Sequence, residues 1–258
     1  MSDRGPTWSR FDLRASTYED SVLQQFLFVP VQQTALQLGR RLLPRAGGVL
    51  DVGCGTGRLL RSARRCYPAA DLVGVDLAGR MVATAVAATP TGLAVRYVQG
   101  RAERLPFPDD RFDLVFATLS LRHRADLPAG IAEVARVLDP RGTMVLADIF
   151  PSCPRRAPWA PMARRRRHPL APAELEAVLA RQRLEVAGVE RARWFGLPDV
   201  QVLAVQPMHP PTRRQSASGG AAGCLPPSQR EDAETPGGWY RWRPGGAATG
   251  RAVGWPQR

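Results

Sequence analysis

The residues with the clearest chemical potential stand in one short run, Asp51-Val52-Gly53-Cys54-Gly55-Thr56-Gly57. Three glycines alternate there, directly after an apolar stretch (Gly48 to Val52) and directly before a helix-forming one (Arg58 to Cys66). Glycine reaches positive φ without steric cost and lets a ligand lie against bare backbone. A strand, a glycine turn and a helix in that order make a binding loop for a nucleotide-like molecule. The charges around the loop narrow the choice. A dinucleotide loop reads GxGxxG, its third glycine allowing close helix packing beside a pyrophosphate. Here the third glycine comes one residue early, and Arg58 stands in the usual place. Asp51 lies two residues before the first glycine, where a carboxylate would repel a pyrophosphate but attract the ammonium group of an amino acid, directly or through water. The pattern therefore favours S-adenosylmethionine, a cationic nucleoside with an amino-acid arm, over NAD.

A second acidic residue, Asp76, closes the apolar run Leu72-Val73-Gly74-Val75, 21 residues after Gly55. A carboxylate there can accept hydrogen bonds from both hydroxyls of a ribose, which suits either cofactor. Leu77 and Met81 follow at positions able to pack on an adenine.

The elements that must carry these residues follow from periodicity. A helix is predicted from about Pro30, with Val31, Ala35, Leu38 and Leu42 recurring at helical spacing and proline suited to a first turn. Strands are predicted at 48–52, 72–76, 94–99, 112–117 and 143–148, with helices at 58–66 and 81–88. Asp126 can cap a further helix whose apolar stripe is Leu127, Ile131, Val134 and Leu138. Pro140-Arg141-Gly142 turns the chain into the fifth strand. A helix at 171–182 and an antiparallel pair at 184–190 and 200–205 complete the pattern. Strands alternating with helices imply a mostly parallel sheet covered on both faces, with the ligand crevice at the carboxyl ends of its strands. The organisation expected is an N-terminal arm over 1–29, a binding domain over 30–207 and a disordered Pro/Gly/Arg-rich tail over 208–258, too poor in aliphatic residues to offset its ordering entropy.

The stretch from Val98 contains Gly100-Arg101-Ala102-Glu103-Arg104-Leu105-Pro106-Phe107-Pro108-Asp109-Asp110-Arg111-Phe112-Asp113, and Glu133-Val134-Ala135-Arg136-Val137-Leu138-Asp139-Pro140-Arg141-Gly142 follows. Together with the glycine turn and the acid after the second strand, these closely resemble the class I S-adenosylmethionine-dependent methyltransferases. The likeness is to the small-molecule and quinone-biosynthesis branch, with its type 11 methyltransferase domain. That family shows a similar "G-D-A-E-x-L-P-F-x-D-x-x-F-D" stretch and a similar "E-x-x-R-V-L-x-P-G-G" stretch. The likeness covers about residues 8 to 206, including Phe11-Asp12, Ala15 and Tyr18 near the start. It implies an α/β, Rossmann-like fold with a mostly parallel seven-stranded sheet and helices on both faces. It also implies that Gly53, Gly55 and Gly57 surround the amino-acid part of the cofactor and Asp76 its ribose. Arg101 and Ala102 then take the adenine edge, and Thr118 flanks the sulfonium. Arg101 departs from the family, standing where the usual acid accepts from the adenine amino group. A guanidinium has no acceptor, so it can only stack on the ring or turn outward, and either affinity for the cofactor falls or Glu103 compensates. Arg141 replaces the first glycine of the later turn.

Methyl transfer is a direct displacement that needs alignment of the nucleophile and exclusion of water, with a general base only for a protonated nucleophile. His123, six residues past the fourth strand, and Tyr18, on the arm, are the catalytic candidates. A solvated or capping role for His123, and a packing role for Tyr18, are the competing readings. Cys54 reads as a small core residue. Cys153 alone suggests RNA cytosine chemistry, but the Pro-Cys partner motif after the fourth strand is replaced by Ala117-Thr118-Leu119-Ser120. The same four residues lack the (Asp/Asn)-Pro-Pro-aromatic motif of nucleic-acid amino methyltransferases.

Composition sets the outer bounds. All 36 basic residues are arginine against 23 acidic ones, giving a net charge of +13, and neither lysine nor asparagine occurs. Both missing residues have A-rich codons, so a GC-rich genome accounts for the bias. The basic run Arg164 to Arg167, where this fold often places a substrate lid, could hold a carboxylate, a phosphate or a carrier-bound substrate, or could simply be solvated. The four cysteines show no metal-type spacing, so no metal is expected. The first residues lack an apolar run behind a basic start, and no stretch reaches about 20 apolar residues, so a cytoplasmic protein without a membrane span is expected. The reading is a methyltransferase for a small-molecule acceptor, with nucleic acid not expected as a partner. The alternatives are an RNA or protein methyltransferase that recruits its target through the basic loop and tail, and a non-catalytic domain of the same fold.

Overall fold

The alternating signals fold into one seven-stranded sheet. The computed structural model describes residues 28–121, 126–150, 171–192 and 200–208. In chain order the elements are α1 (Val29–Leu42), β1 (Gly48–Val52), α2 (Arg58–Cys66), β2 (Asp71–Asp76), α3 (Gly79–Ala87), β3 (Val95–Gln99), β4 (Phe112–Thr118), α4 (Leu127–Val137), β5 (Leu138–Ile149), α5 (Pro172–Arg181), β6 (Leu184–Ala192) and β7 (Val200–Pro207). The strand order is β3-β2-β1-β4-β5-β7-β6. Strands β1 to β5 pair in parallel, whereas β7 runs antiparallel to both β5 and β6. The order reverses between β1 and β4, which opens a crevice at their carboxyl ends, where open α/β sheets bind ligands.

Period-two alternation divides each central strand between two cores. Val49, Leu72, Leu114, Phe116, Val145 and Ala147 face α1 and α2, packing on Val31, Ala35, Leu38, Leu59 and Leu60. Leu50, Val52, Val73, Val75, Val115, Ala117 and Leu146 face the other way, onto Ile131 and Val134 of α4 and Leu175 and Leu179 of α5. Both faces of the sheet are thus covered, as near-continuous apolar strands require.

The predicted boundaries hold to within two residues except around 138–142. Leu138 opens β5 and does not belong to α4, and Pro140-Arg141-Gly142 is not a turn ahead of the strand. It lies inside β5 as an irregularity, where the register jumps from Phe112↔Leu138 to Leu114↔Thr143. The Asp139 carboxylate stabilises that bulge by accepting from the Arg141 N–H at 2.7 Å. Asp126 caps α4 as predicted, accepting from the Ala129 N–H at 3.0 Å.

Two of the quoted motifs turn out to hold the scaffold. Asp113 accepts from the N–H groups of Gly47 and Gly48 at 2.7 and 2.8 Å, tying the start of β4 to the entrance of β1. Glu133 and Arg136 of α4 grip the loop before β4. Glu133 accepts from the Leu105 N–H at 2.7 Å, and Arg136 donates to the carbonyls of Leu105 and Phe107 and to Asp109. Hydrogen bonds from Arg136 hold the Glu133 carboxyl below its ordinary range.

Candidate functional site

The glycine loop leaves β1 by turning over β2. Gly53 and Cys54 both donate to the Val75 carbonyl, at 2.8 and 3.1 Å. Gly53, Gly55 and Gly57 all have positive φ, at 83°, 53° and 78°. Their surroundings differ. A Cβ on Gly57 would run into the Tyr97 phenol, and one on Gly53 would stand 2.7 Å from the Ser120 Cβ. At Gly55 a Cβ would meet nothing within 4 Å. The loop is therefore packed from below by Tyr97, from the side by Ser120, and open above its middle glycine. Gly57 also serves as the N-cap of α2, its left-handed backbone swinging the chain into the helix.

Asp76 ends β2 beside this loop. One carboxylate oxygen accepts from the Gly55 N–H at 2.8 Å and the other from the Ala78 N–H at 2.9 Å. The residue stays half-buried. Asp51 is the opposite case. It is 1% exposed on β1, and its Oδ1 finds no hydrogen-bond partner. Burial, and then the charge of Asp76, push its carboxyl up to about 8. A buried polar atom left unpaired is costly and points to a missing partner. An ammonium group held against the open middle of the loop would supply one. The residues present thus fit the amino-acid end of S-adenosylmethionine, and Asp76 fits its ribose.

The other predicted positions gather at the same edge of the sheet. Leu77 is half-buried after β2, while Met81 of α3 is buried. Gly100, the residue after β3, donates to the Asp76 carbonyl at 2.9 Å, which brings Arg101 and Ala102 alongside. The Arg101 side chain is 55% exposed, and its Nε lies 3.6 Å from a Glu103 oxygen. The other Glu103 oxygen accepts from the Asp126 N–H at 3.3 Å. The Arg101 guanidinium is thus more than half exposed and ion-paired with Glu103. Thr118 ends β4, buried, and is paired with Ala147 of β5. Cys54 is buried under the loop, its thiol pushed up by burial, which agrees with a core role. Tyr18, His123, Cys153, the Arg164–Arg167 run and the tail from 209 lie outside the described residues.

Sequence reasoning missed the turn after β4. Leu119 has φ 52° with its side chain buried, a strained conformation for a branched residue. Its N–H donates to the Ala147 carbonyl, the Ser120 hydroxyl donates to the Val52 carbonyl at 3.1 Å, and the Leu121 N–H donates to buried Asp148 at 3.2 Å. These bonds pull the turn across β1 and β5, against the glycine loop. No sequence signal marks them, because they join residues 27 to 68 positions apart.

Residues 49–142 match the methyltransferase domain family. That stretch, from β1 to the bulge in β5, is thus similar to a methyltransferase domain. The malonyl-[acyl-carrier protein] O-methyltransferase of Halorhodospira halophila is 34% identical over 152 residues, covering 58% of this chain and 50% of that protein. The demethylmenaquinone methyltransferase of Thermus thermophilus is 39% identical over 110 residues, covering 42% and 50%. The chain thus spans about half the length of these curated relatives. Among solved structures, a SAM-dependent methyltransferase from Aquifex aeolicus superposes with a TM-score of 0.59 at 20% identity, over 75% of this chain and 97% of that one. That likeness shows the fold of the methyltransferase domain, a seven-stranded sheet with helices on both faces.

Proposed function

We propose that the protein transfers the methyl group of S-adenosylmethionine to a small-molecule acceptor, with the carboxyl ends of β1, β2 and β4 forming the reaction site. The observation that carries this reading is the pairing of an open glycine loop with two acids of different character. Asp51 is buried with an unpaired oxygen, and Asp76 is half-buried at the rim of the loop, accepting from the Gly55 and Ala78 N–H groups. When bound, the cofactor supplies an electrophilic methyl on a sulfonium. The protein has three tasks. Gly53, Gly55, Gly57 and Asp51 hold the amino-acid arm, while Asp76, Leu77, Met81, Arg101 and Ala102 surround the nucleoside. Thr118 and the turn behind it face the reacting centre and help exclude water, leaving alignment as the main source of rate. Arg101 is ion-paired with Glu103, an acid that stands in for the family's usual one at the adenine edge.

His123 and Tyr18 are proposed to meet the acceptor, His123 as a base where the nucleophile carries a proton. An anionic or carrier-bound acceptor is favoured by the basic run Arg164 to Arg167, and the malonyl-[acyl-carrier protein] relative points the same way. No described helix is long and apolar enough to cross a membrane, and a cytoplasmic site of action is proposed with the rest. Calorimetry with S-adenosylhomocysteine and with NAD tests the cofactor, and labelled methyl incorporation from S-adenosylmethionine into small-molecule extracts tests the reaction. Binding of NAD in place of the sulfur nucleoside, or label found only in RNA or protein, would refute the proposal.

A further inference from the structure

The register of β1 against β2 pairs Asp51 with Gly74 and Val52 with Val75. Alternation then puts Asp51, Gly74 and Asp76 on the same face of the sheet. Gly74 brings no side chain between the two acids, and the Cys54 sulfur leans over its Cα. Asp76 is stabilised as a carboxylate by two backbone N–H donors, whereas the Oδ1 of Asp51 receives none. Two neighbouring acids, one hydrogen-bonded and half-exposed and the other buried and bare, divide their charge unequally. We infer that Asp51 carries a proton in the ligand-free protein and releases it to solvent when a cationic amino-acid arm occupies the glycine loop. This rests on the cofactor reading above and adds to it a proton that leaves as the cofactor arrives.

The surroundings support the assignment. Burial and the Asp76 charge, in that order, raise the Asp51 carboxyl to about 8. From the loop the neighbour is the Cys54 thiol, and across Gly74 it is the Tyr97 phenol, both raised by burial and neutral near pH 7. On β4 the residue opposite Asp51 is Phe116. The arginines nearest along α2 are Arg58 and Arg61, and Arg61 donates to the Thr56 carbonyl. The arginines of α1, Arg40 and Arg41, sit at its far end, near Tyr67 and Glu190 respectively. The proton balance is simple: the Asp51 O–H bond breaks, the proton goes to buffer, and the resulting carboxylate faces the ammonium group. By linkage, affinity then rises with pH, by up to about tenfold per pH unit below about 8. The cofactor's own amino group loses its proton from roughly pH 8 upward, in the wild type and in Asp51→Asn alike, so the difference between them isolates Asp51.

The test is calorimetric titration with S-adenosylhomocysteine near pH 7 in two buffers of different ionisation enthalpy, phosphate and Tris. Wild type is expected to give unequal heats, corresponding to release of close to one proton. Asp51→Asn, a neutral isostere, is expected to give equal heats and an affinity with less pH dependence. In parallel, carbon-13 NMR of the ligand-free protein is expected to show the Asp51 carboxyl titrating above pH 7. Equal heats in the wild type, proton release that persists in Asp51→Asn, or an Asp51 signal already ionised at pH 5 would each overturn the inference. Equal but substantial heats would leave the cofactor reading standing, whereas no binding heat at all in the wild type would remove both.

Discussion

At the scale of single residues, the site is built from groups whose second role is structural. Asp76, proposed to meet a ribose, also holds the Gly55 and Ala78 N–H groups. Asp76→Ala should weaken S-adenosylhomocysteine binding by about 1–3 kcal/mol in calorimetry, the scale of charge-assisted hydrogen bonds. It should lower the melting temperature too, because two N–H donors lose their acceptor. Unchanged affinity would remove the ribose assignment. Asp51 makes a prediction about stability. Between its ordinary value of 3.8 and about 8 the folded chain keeps the Asp51 proton while the unfolded chain has lost it. The folded state then binds more protons, so ligand-free stability falls as pH rises through that window. Thermal melts from about pH 5 to pH 8 should show that decline in the wild type and a flatter profile in Asp51→Asn.

At the scale of elements, α4 and the loop before β4 act as one unit. The Glu133 carboxyl is held low, chiefly by Arg136, so its stabilisation is present above its ordinary value of 4.5 and is lost as pH falls through the lower folded value. Glu133→Gln keeps the size but weakens two bonds from Arg136 and one from Leu105. A loss of about 1–2 kcal/mol in urea unfolding is expected, with Asp109 contributing little because it is 72% exposed. Asp126→Ala removes the cap of the same helix and should cost about 1 kcal/mol. A variant indistinguishable from wild type would show that the 103–109 loop is held by packing alone. The "E-x-x-R" and "L-P-F-x-D" motifs lie some thirty residues apart in sequence and make one contact in space. They could be read as family marks, but their joint purpose needed the fold.

At the scale of the whole molecule, the two cores are the two faces of one sheet. Leu50 belongs to one and Leu114 to the other, both fully buried on neighbouring strands. Leu50→Ala and Leu114→Ala should each cost about 2–5 kcal/mol and shift the same urea transition, because a strand cannot lose one face and keep the other. Two separate transitions, each moved by one variant alone, would contradict this. The strands, the glycine loop, Asp51 and Asp76 were legible in the sequence because period-two and helical spacing and a strand–turn–helix unit are local properties. The bulge inside β5 was not, because a Pro-x-Gly sequence fits a turn as well as a bulge, and only pairing with β4 distinguishes them. Ser120, Leu119 and Asp148 were invisible for a related reason. Their residue types are ordinary, and their importance comes from bonds to strands far away in the chain.

By itself, the order of residues determined that a glycine bend would follow a buried strand, that an acid would close the next one, and which cofactor such a bend would suit. These are matters of spacing along a single stretch of backbone. Folding alone decided that the two acids share one face with no side chain between them, and that one is hydrogen-bonded while the other is bare. Charge state depends on distance and on access to water, and both are set only when strands from different parts of the chain lie side by side.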